Sequence, residues 1–187
     1  MAKLIVDDAE SKKSEWVYAA LREYEGPLTR YAAQITGDVD RARDVVQDTF
    51  VKLCAADPDE LEGRVREWLF TVCRNRALDV QRKESRMKPL GEMELETVES
   101  REPSPAAAAE QNESAGQILR LLATLPANQQ EVVRLKFQNG LSYREISHVT
   151  KLTVTNVGFL LHTAVKTIRQ KIKTEAKPTG EALRIAL

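Results

Sequence analysis

Gly140-Leu141-Ser142-Tyr143-Arg144-Glu145-Ile146-Ser147-His148-Val149-Thr150-Lys151-Leu152-Thr153-Val154 is the stretch on which the fold turns. Ser142 stands three residues before Glu145. That spacing predicts a capping box, in which the hydroxyl and the carboxylate each satisfy an orphan backbone donor of the first helical turn. A short helix through Val149 follows, then the turn Thr150-Lys151-Leu152. Thr153 is placed to cap a longer helix whose apolar stripe is Val157, Leu161, Ala164, Val165, Ile168 and Ile172. Short helix, tight turn and longer helix make the helix-turn-helix pattern, which other helical hairpins share in spacing.

Working outward, Ile118, Leu121, Leu122 and Leu125 fall on one helical stripe, Pro126 opens the next helix and Asn139-Gly140 closes it. The first half of the chain is helical by the same criterion. Residues 16–24 predict a short helix, and Pro27 suits the first position of a second one, where its missing N–H costs nothing. Leu28, Tyr31, Ala32 and Ile35 lie on one face of that second helix. Gly37 can take the left-handed cap and Asp38 can start the next helix. Ala42, Val45, Val46, Thr49, Phe50 and Leu53 form its stripe, and Asp57-Pro58-Asp59 breaks it. A further helix carries Val65, Trp68, Leu69, Val72, Cys73, Ala77 and Val80 on its buried face.

The whole composition agrees with an all-α fold. With 8 Gly and 7 Pro in 187 residues, and 5% aromatics, the chain is short of the turn and strand formers an all-β protein spends. Two small helical domains are expected, at 15–88 and 114–174, joined by an acidic linker at 89–113 and followed by a tail at 175–187. The linker holds Glu92, Glu94, Glu96, Glu99 and Glu102 with Pro103 and Pro105 and has no apolar stripe, so it reads as extended or partly disordered. No apolar run approaches the roughly 20 residues that span a bilayer, so membrane insertion is not expected. The first ten residues do not resemble a secretory signal, and two cysteines build no disulfide framework. A cytoplasmic protein is expected.

Lys+Arg and Asp+Glu are 28 each, which excludes a uniformly basic nucleic-acid coat. The signs are nevertheless segregated. Residues 38–62 carry eight acids against three bases; residues 74–88 carry six bases against two acids; residues 163–177 carry five bases against one acid. Asn75, Asp79, Arg82, Lys83 and Arg86 recur at helical spacing opposite an apolar stripe, a row suited to bases and phosphates and equally to a plain solvated face. On the long C-terminal helix, Thr155, Asn156, Phe159, Thr163 and Lys166 share a second face. As a recognition helix it would hold Thr155 and Asn156 over base edges, with Phe159 near a thymine methyl. The competing reading packs residues 158–161 against protein and reads no base.

Catalytic chemistry finds no foothold. His148 and His162 are in no metal spacing with Cys54 or Cys73, and both cysteines read as small core residues. There is no phosphate-cradling glycine loop and no nucleophile elbow. No enzymatic activity and no cofactor are expected. Asp44, Gln47 and Asp48 on one helix face suit a docking surface better than a metal.

These residues, taken together, resemble a known family. Tyr31-Ala32-Ala33, Thr36-Gly37-Asp38, Asp44-Val45-Val46-Gln47-Asp48-Thr49-Phe50, Trp68-Leu69-Phe70 and Arg74-Asn75 through Arg82-Lys83 look like the second conserved region of extracytoplasmic-function (ECF) sigma factors. Leu125-Pro126, Gly140 to Ile146, Thr153-Val154, Val157 and Leu161-His162 look like their fourth region. The resemblance implies binding to core RNA polymerase and direction to promoters. It implies that Asp44, Gln47 and Asp48 dock on the clamp helices of the largest polymerase subunit. It places Arg74, Asn75, Asp79, Arg82, Lys83 and Arg86 at the minus-10 element and its melted strand, and the helix-turn-helix at the minus-35 element. There Arg144, Lys151, Thr153, Thr155, Asn156, Phe159 and Lys166 are the candidate contacts. An anti-sigma partner is implied as well. The chain departs from the family in having Lys151 where the turn usually has glycine, and Gly158, Leu160 and Thr163 where the recognition helix usually carries bases. A stand-alone helix-turn-helix regulator and a protein that sequesters a regulator are the rival readings.

Overall fold

The helical periodicity of both halves is realised in a computed structural model that describes residues 2–87 and 112–175. Of the expected acidic linker and C-terminal tail, residues 89–111 and 176–187 lie outside the described residues, while 112–113 and 175 belong to helices. Seven α-helices and one short 3-10 turn are found among the described residues: α1 Ala2–Thr36, α2 Val39–Ala55, the turn Asp59–Leu61, α3 Val65–Met87, α4 Asn112–Ala123, α5 Ala127–Phe137, α6 Tyr143–Thr150 and α7 Val154–Glu175. The chain divides into two compact units, the first carrying α1 to α3 and the second α4, α5, α7 and the body of α6. No described helix is long and apolar enough to cross a membrane.

In the first unit α1, α2 and α3 pack against one another. Leu28, Ala32, Val45, Leu53, Leu69, Phe70, Cys73 and Ala77 are almost wholly buried, and the Tyr31 and Phe70 rings meet at 5.4 Å. Phe70 lies off the stripe expected of its helix and still fills the core. The α1–α2 corner is built as its residues dictate. Gly37 takes φ +71, its N–H bonds the Ala33 carbonyl at 2.9 Å, and the Asp38 carboxylate accepts from the Arg41 N–H at 2.8 Å. The buried Thr36 hydroxyl lies 3.1 Å from the Ala32 carbonyl and 2.9 Å from the Asp38 carbonyl and shares its one hydrogen between them, so the corner leaves that polar side chain satisfied.

The expected break before Pro27 does not occur: α1 runs through it as one helix, with residues 16–24 continuous with 28–35. Proline in a helix interior forfeits one backbone bond at about 3 kcal/mol. Against this, Ala20, Leu28, Tyr31 and Ala32 are all buried on a single continuous face. A fully buried Leu or large aromatic contributes about 1.5–3 kcal/mol each, so packing outweighs the local penalty.

In the second unit α7 packs against α5 and α4. Leu135, Leu141, Ile146, Val157 and Ala164 are fully buried. The α5 terminus closes through Gly140 at φ +69, with the Leu141 N–H on the Leu135 carbonyl at 3.0 Å. Three expected core positions are not core. Ile118 is 51% exposed, Ile172 lies at the exposed end of α7, and Cys54 faces solvent near the end of α2. Cys54 lies off the α2 stripe, one residue past buried Leu53, and Ile118 and Ile172 lie on stripes that continue beyond the buried stretch of their helices. Leu160, at a position where the resemblance expects a base, is instead buried.

Candidate functional site

The capping box of α6 is present in both halves. The Glu145 N–H bonds the Ser142 hydroxyl at 3.3 Å, and the Ser142 N–H bonds the Glu145 carboxylate at 2.7 Å. Lys151 then takes the left-handed conformation, φ 62 and ψ 23, that the turn needs. A lysine therefore does what glycine commonly does there, at the steric cost of its Cβ. The Ser147 hydroxyl, bonded to the Leu152 carbonyl, closes the turn. Thr153 accepts from the Asn156 N–H at 3.2 Å, so its oxygen is engaged as the α7 cap.

This anchoring fixes which residues α7 presents. Val157, Leu160, Leu161 and Ala164 are buried, while Thr155, Asn156, Phe159 and Lys166 are exposed, Phe159 to 66%. Thr163 is half-buried, and Arg144 and Lys151 are exposed on the α6 side of the turn. The Tyr143 ring lies under the Lys136 ammonium at 5.5 Å, which positions the start of α6.

In the first unit, α2 buries Val45, Val46, Thr49 and Phe50 and leaves Asp44 and Gln47 exposed. Asp48 is on the boundary, its side chain 47% exposed, and its Oδ2 accepts from the Arg76 Nε on α3 at 2.7 Å. A second α2–α3 tie runs between Arg41 and Glu84. Val51, 63% exposed, and the thiol-bearing Cys54 continue along the same solvent-facing side of α2. Sequence reasoning missed Arg76 as a partner of Asp48, because nothing in spacing reveals which α3 base reaches across to α2.

On α3, Asn75, Asp79, Arg82, Lys83 and Arg86 are all exposed, opposite Leu69, Phe70, Cys73 and Ala77. Arg82 lies 3.5 Å from Asp79 in an i,i+3 pair, so one carboxylate sits inside the basic row. Arg74 is half-buried and stands off that row. Burial pushes the Cys73 thiol up to about 12, opposed by its bond with Thr49, so this cysteine is a packed thiol. On α5, the Arg134 guanidinium is lowered by burial and its Nε is unbonded. Among the described residues no cluster of three or more His, Cys, Asp or Glu is placed to hold a metal ion.

Comparison with known proteins follows the same division. Residues 20–87 match the sigma-70 region 2 family and residues 115–168 the sigma-70 region 4 family. The chain is similar to the ECF RNA polymerase sigma factor SigL of Mycobacterium tuberculosis, 30% identical over 170 residues, which cover 88% of this chain and 93% of the relative. It is 26% identical over 151 residues to the ECF RNA polymerase sigma factor SigM of Bacillus subtilis, covering 80% of this chain and 88% of that one. The sigma factor RpoE of Bartonella quintana, solved in complex with the anti-sigma factor NepR, shares the fold with a TM-score of 0.61 at 21% identity, covering 83% of this chain and 96% of that one. CnrH, solved with the cytosolic domain of CnrY, shares it with a TM-score of 0.58 at 22% identity, covering 92% and 97%. The chain belongs to the sigma-70 family as an ECF sigma factor, and its function is to direct transcription initiation with core RNA polymerase.

Proposed function

We propose that the two units divide this work by charge. The α2 face of Asp44, Gln47 and Asp48 docks on the clamp helices of the largest polymerase subunit. The α3 row of Asn75, Arg82, Lys83 and Arg86, flanked by Arg74 and carrying Asp79, holds the minus-10 element and its melted strand. The helix-turn-helix engages the minus-35 element, with Thr155, Asn156 and Phe159 toward the bases and Arg144, Lys151 and Lys166 toward phosphates, while Thr153 caps the reading helix. The observation that carries this reading is that adjacent helices α2 and α3 expose faces of different character, acidic and basic, while their other faces share one core.

Acids on the docking face favour a basic partner and discourage DNA there; the α3 bases do the reverse. Residues 88–111 join the units covalently, so engagement of one raises the effective concentration of the other at its own element. An anti-sigma protein that covers these faces is the natural inhibitor, a reading supported by the relative of the same fold solved with the anti-sigma factor NepR. The work takes place in the cytoplasm, with the polymerase and its template.

Run-off transcription with the purified chain, core polymerase and genomic fragments tests the proposal. Discrete transcripts from Asn75- and Arg82-dependent promoters are expected, and gel shifts should be weak until core polymerase is added. Strong sequence-specific binding by the chain alone would favour a stand-alone regulator.

A further inference from the structure

The face that α7 offers is unusual for a helix that reads DNA: it is electrically neutral. From Val154 to Val165 the helix has no lysine and no arginine. The first is Lys166, seven residues beyond Phe159 and so about 10 Å farther along the axis. Exposed on the leading turns are a hydroxyl (Thr155), a carboxamide (Asn156), a phenyl ring (Phe159) and, one turn on, the imidazole of His162.

Guanine is most often read by an arginine or lysine that bonds O6 and N7 together. The leading turns hold no lysine or arginine to make that pair of bonds. A carboxamide matches adenine, donating to N7 and accepting from the N6 amine, and an apolar surface matches the thymine C5-methyl group. Phe159 is 66% exposed, while its chain neighbours Leu160 and Leu161 are buried. The ring is thus turned to solvent, away from the protein core. The cations that flank this face, Arg144, Lys151 and Arg169, are exposed. They fit the phosphates that border a major groove.

We propose that α7 selects adenine–thymine pairs, with Asn156 on an adenine edge and Phe159 on the methyl of a neighbouring thymine, and does not select guanine. The proposal rests on the assignment of α7 to the upstream promoter element.

The test uses holoenzyme assembled from the full chain and core polymerase, and a promoter library randomised across the upstream element. Wild-type holoenzyme should enrich adenine–thymine pairs at adjacent positions. Thymine-to-uracil replacement at the selected position removes only the methyl group and should weaken retention by about 4-fold, the value of one buried methyl. In Phe159→Ala the same replacement should have no effect, and in Phe159→Leu it should again weaken retention. Asn156→Ala should flatten the adenine preference by about 10-fold. Both side chains are exposed, so thermal melts should not move. Guanine enrichment at the positions α7 protects, or indifference of the wild type to uracil, would overturn the proposal. A promoter lacking the upstream duplex separates the two readings. If its retention falls while the library stays flat, base selection alone is wrong; if its retention equals that of the full promoter, the assignment of α7 fails and base selection with it.

Discussion

Asp48 makes an internal ion pair and belongs to the face proposed to dock, and substitution can pull the two apart. Its Oδ2 accepts from the Arg76 Nε at 2.7 Å, with side chains 47% and 45% exposed. An ion pair so exposed contributes about 0–1 kcal/mol to folding. In a domain of this size 1 kcal/mol moves Tm by about 4–8 °C, so Asp48→Asn should lower it by less than that. Docking is a larger matter. Oδ1 remains for a partner's cation, and a hydrogen bond to a charged group contributes about 1.5–3 kcal/mol, or roughly 10- to 150-fold in Kd. Asp48→Asn should therefore weaken core polymerase binding at least 10-fold while leaving the melt nearly unchanged. The exchange Asp48→Arg with Arg76→Asp re-forms the internal pair but moves the carboxylate from α2 to α3. It should restore Tm relative to Asp48→Arg alone and leave docking lost. Anisotropy of labelled chain titrated with core polymerase, beside thermal melts, measures both. Wild-type affinity in Asp48→Asn, or docking recovered by the exchange, would refute the reasoning.

Ser142→Ala removes one half of the α6 capping box and should cost about 1 kcal/mol in urea unfolding of the second unit. Lys151→Gly relieves a side chain at φ 62 and should stabilise that unit by about 1 kcal/mol, while the lost cation weakens upstream duplex binding. In thiol titration at pH 8, Cys54 should react at once and Cys73 only on unfolding. Because burial raises Cys73 from 9.0 to about 12, its share of stability is complete below pH 9 and is lost as pH climbs toward 12, which denaturation at pH 8 and pH 11 compares. Arg82→Ala with Lys83→Ala should reduce the salt slope of open-complex formation by about 1.4, near 0.7 for each single-strand phosphate contact; an unchanged slope would remove these residues from the template.

The helix-turn-helix was legible because its signals are local: Ser142, Glu145 and Thr153 act within one turn of where they stand. The corner at Thr36-Gly37-Asp38 was legible for the same reason. Pro27 misled because its penalty is local and its compensation is not. The burial of Leu28 and Tyr31 against α2 and α3 is a tertiary quantity, and periodicity carries no energy scale with which to weigh it. Ile118 and Ile172 failed differently. A stripe tells which side of a helix is apolar, but not how far along the helix a neighbour extends. The docking face was readable as residue types, yet the Arg76 contact on Asp48 joins positions 28 apart and leaves no mark in spacing.

A neutral reading helix has a consequence for the whole chain. Affinity for duplex DNA comes mainly from neutralised phosphates, and α7 brings its first lysine only after three turns. On the proposed reading Asn156 and Phe159 would discriminate between bases but add little non-specific attraction, so the second unit alone should bind weakly. Weak upstream binding is useful in a protein that must not occupy promoters without polymerase. If the α2 carboxylates dock as proposed, they would set when reading begins, because only a docked chain would hold α7 close enough to its element for one carboxamide and one ring to decide. Basic substitutions on the α7 face, such as Thr155→Lys, should therefore raise binding of the free chain to DNA and blur its base preference together, a coupling that gel shifts on matched and mismatched duplexes without polymerase can read.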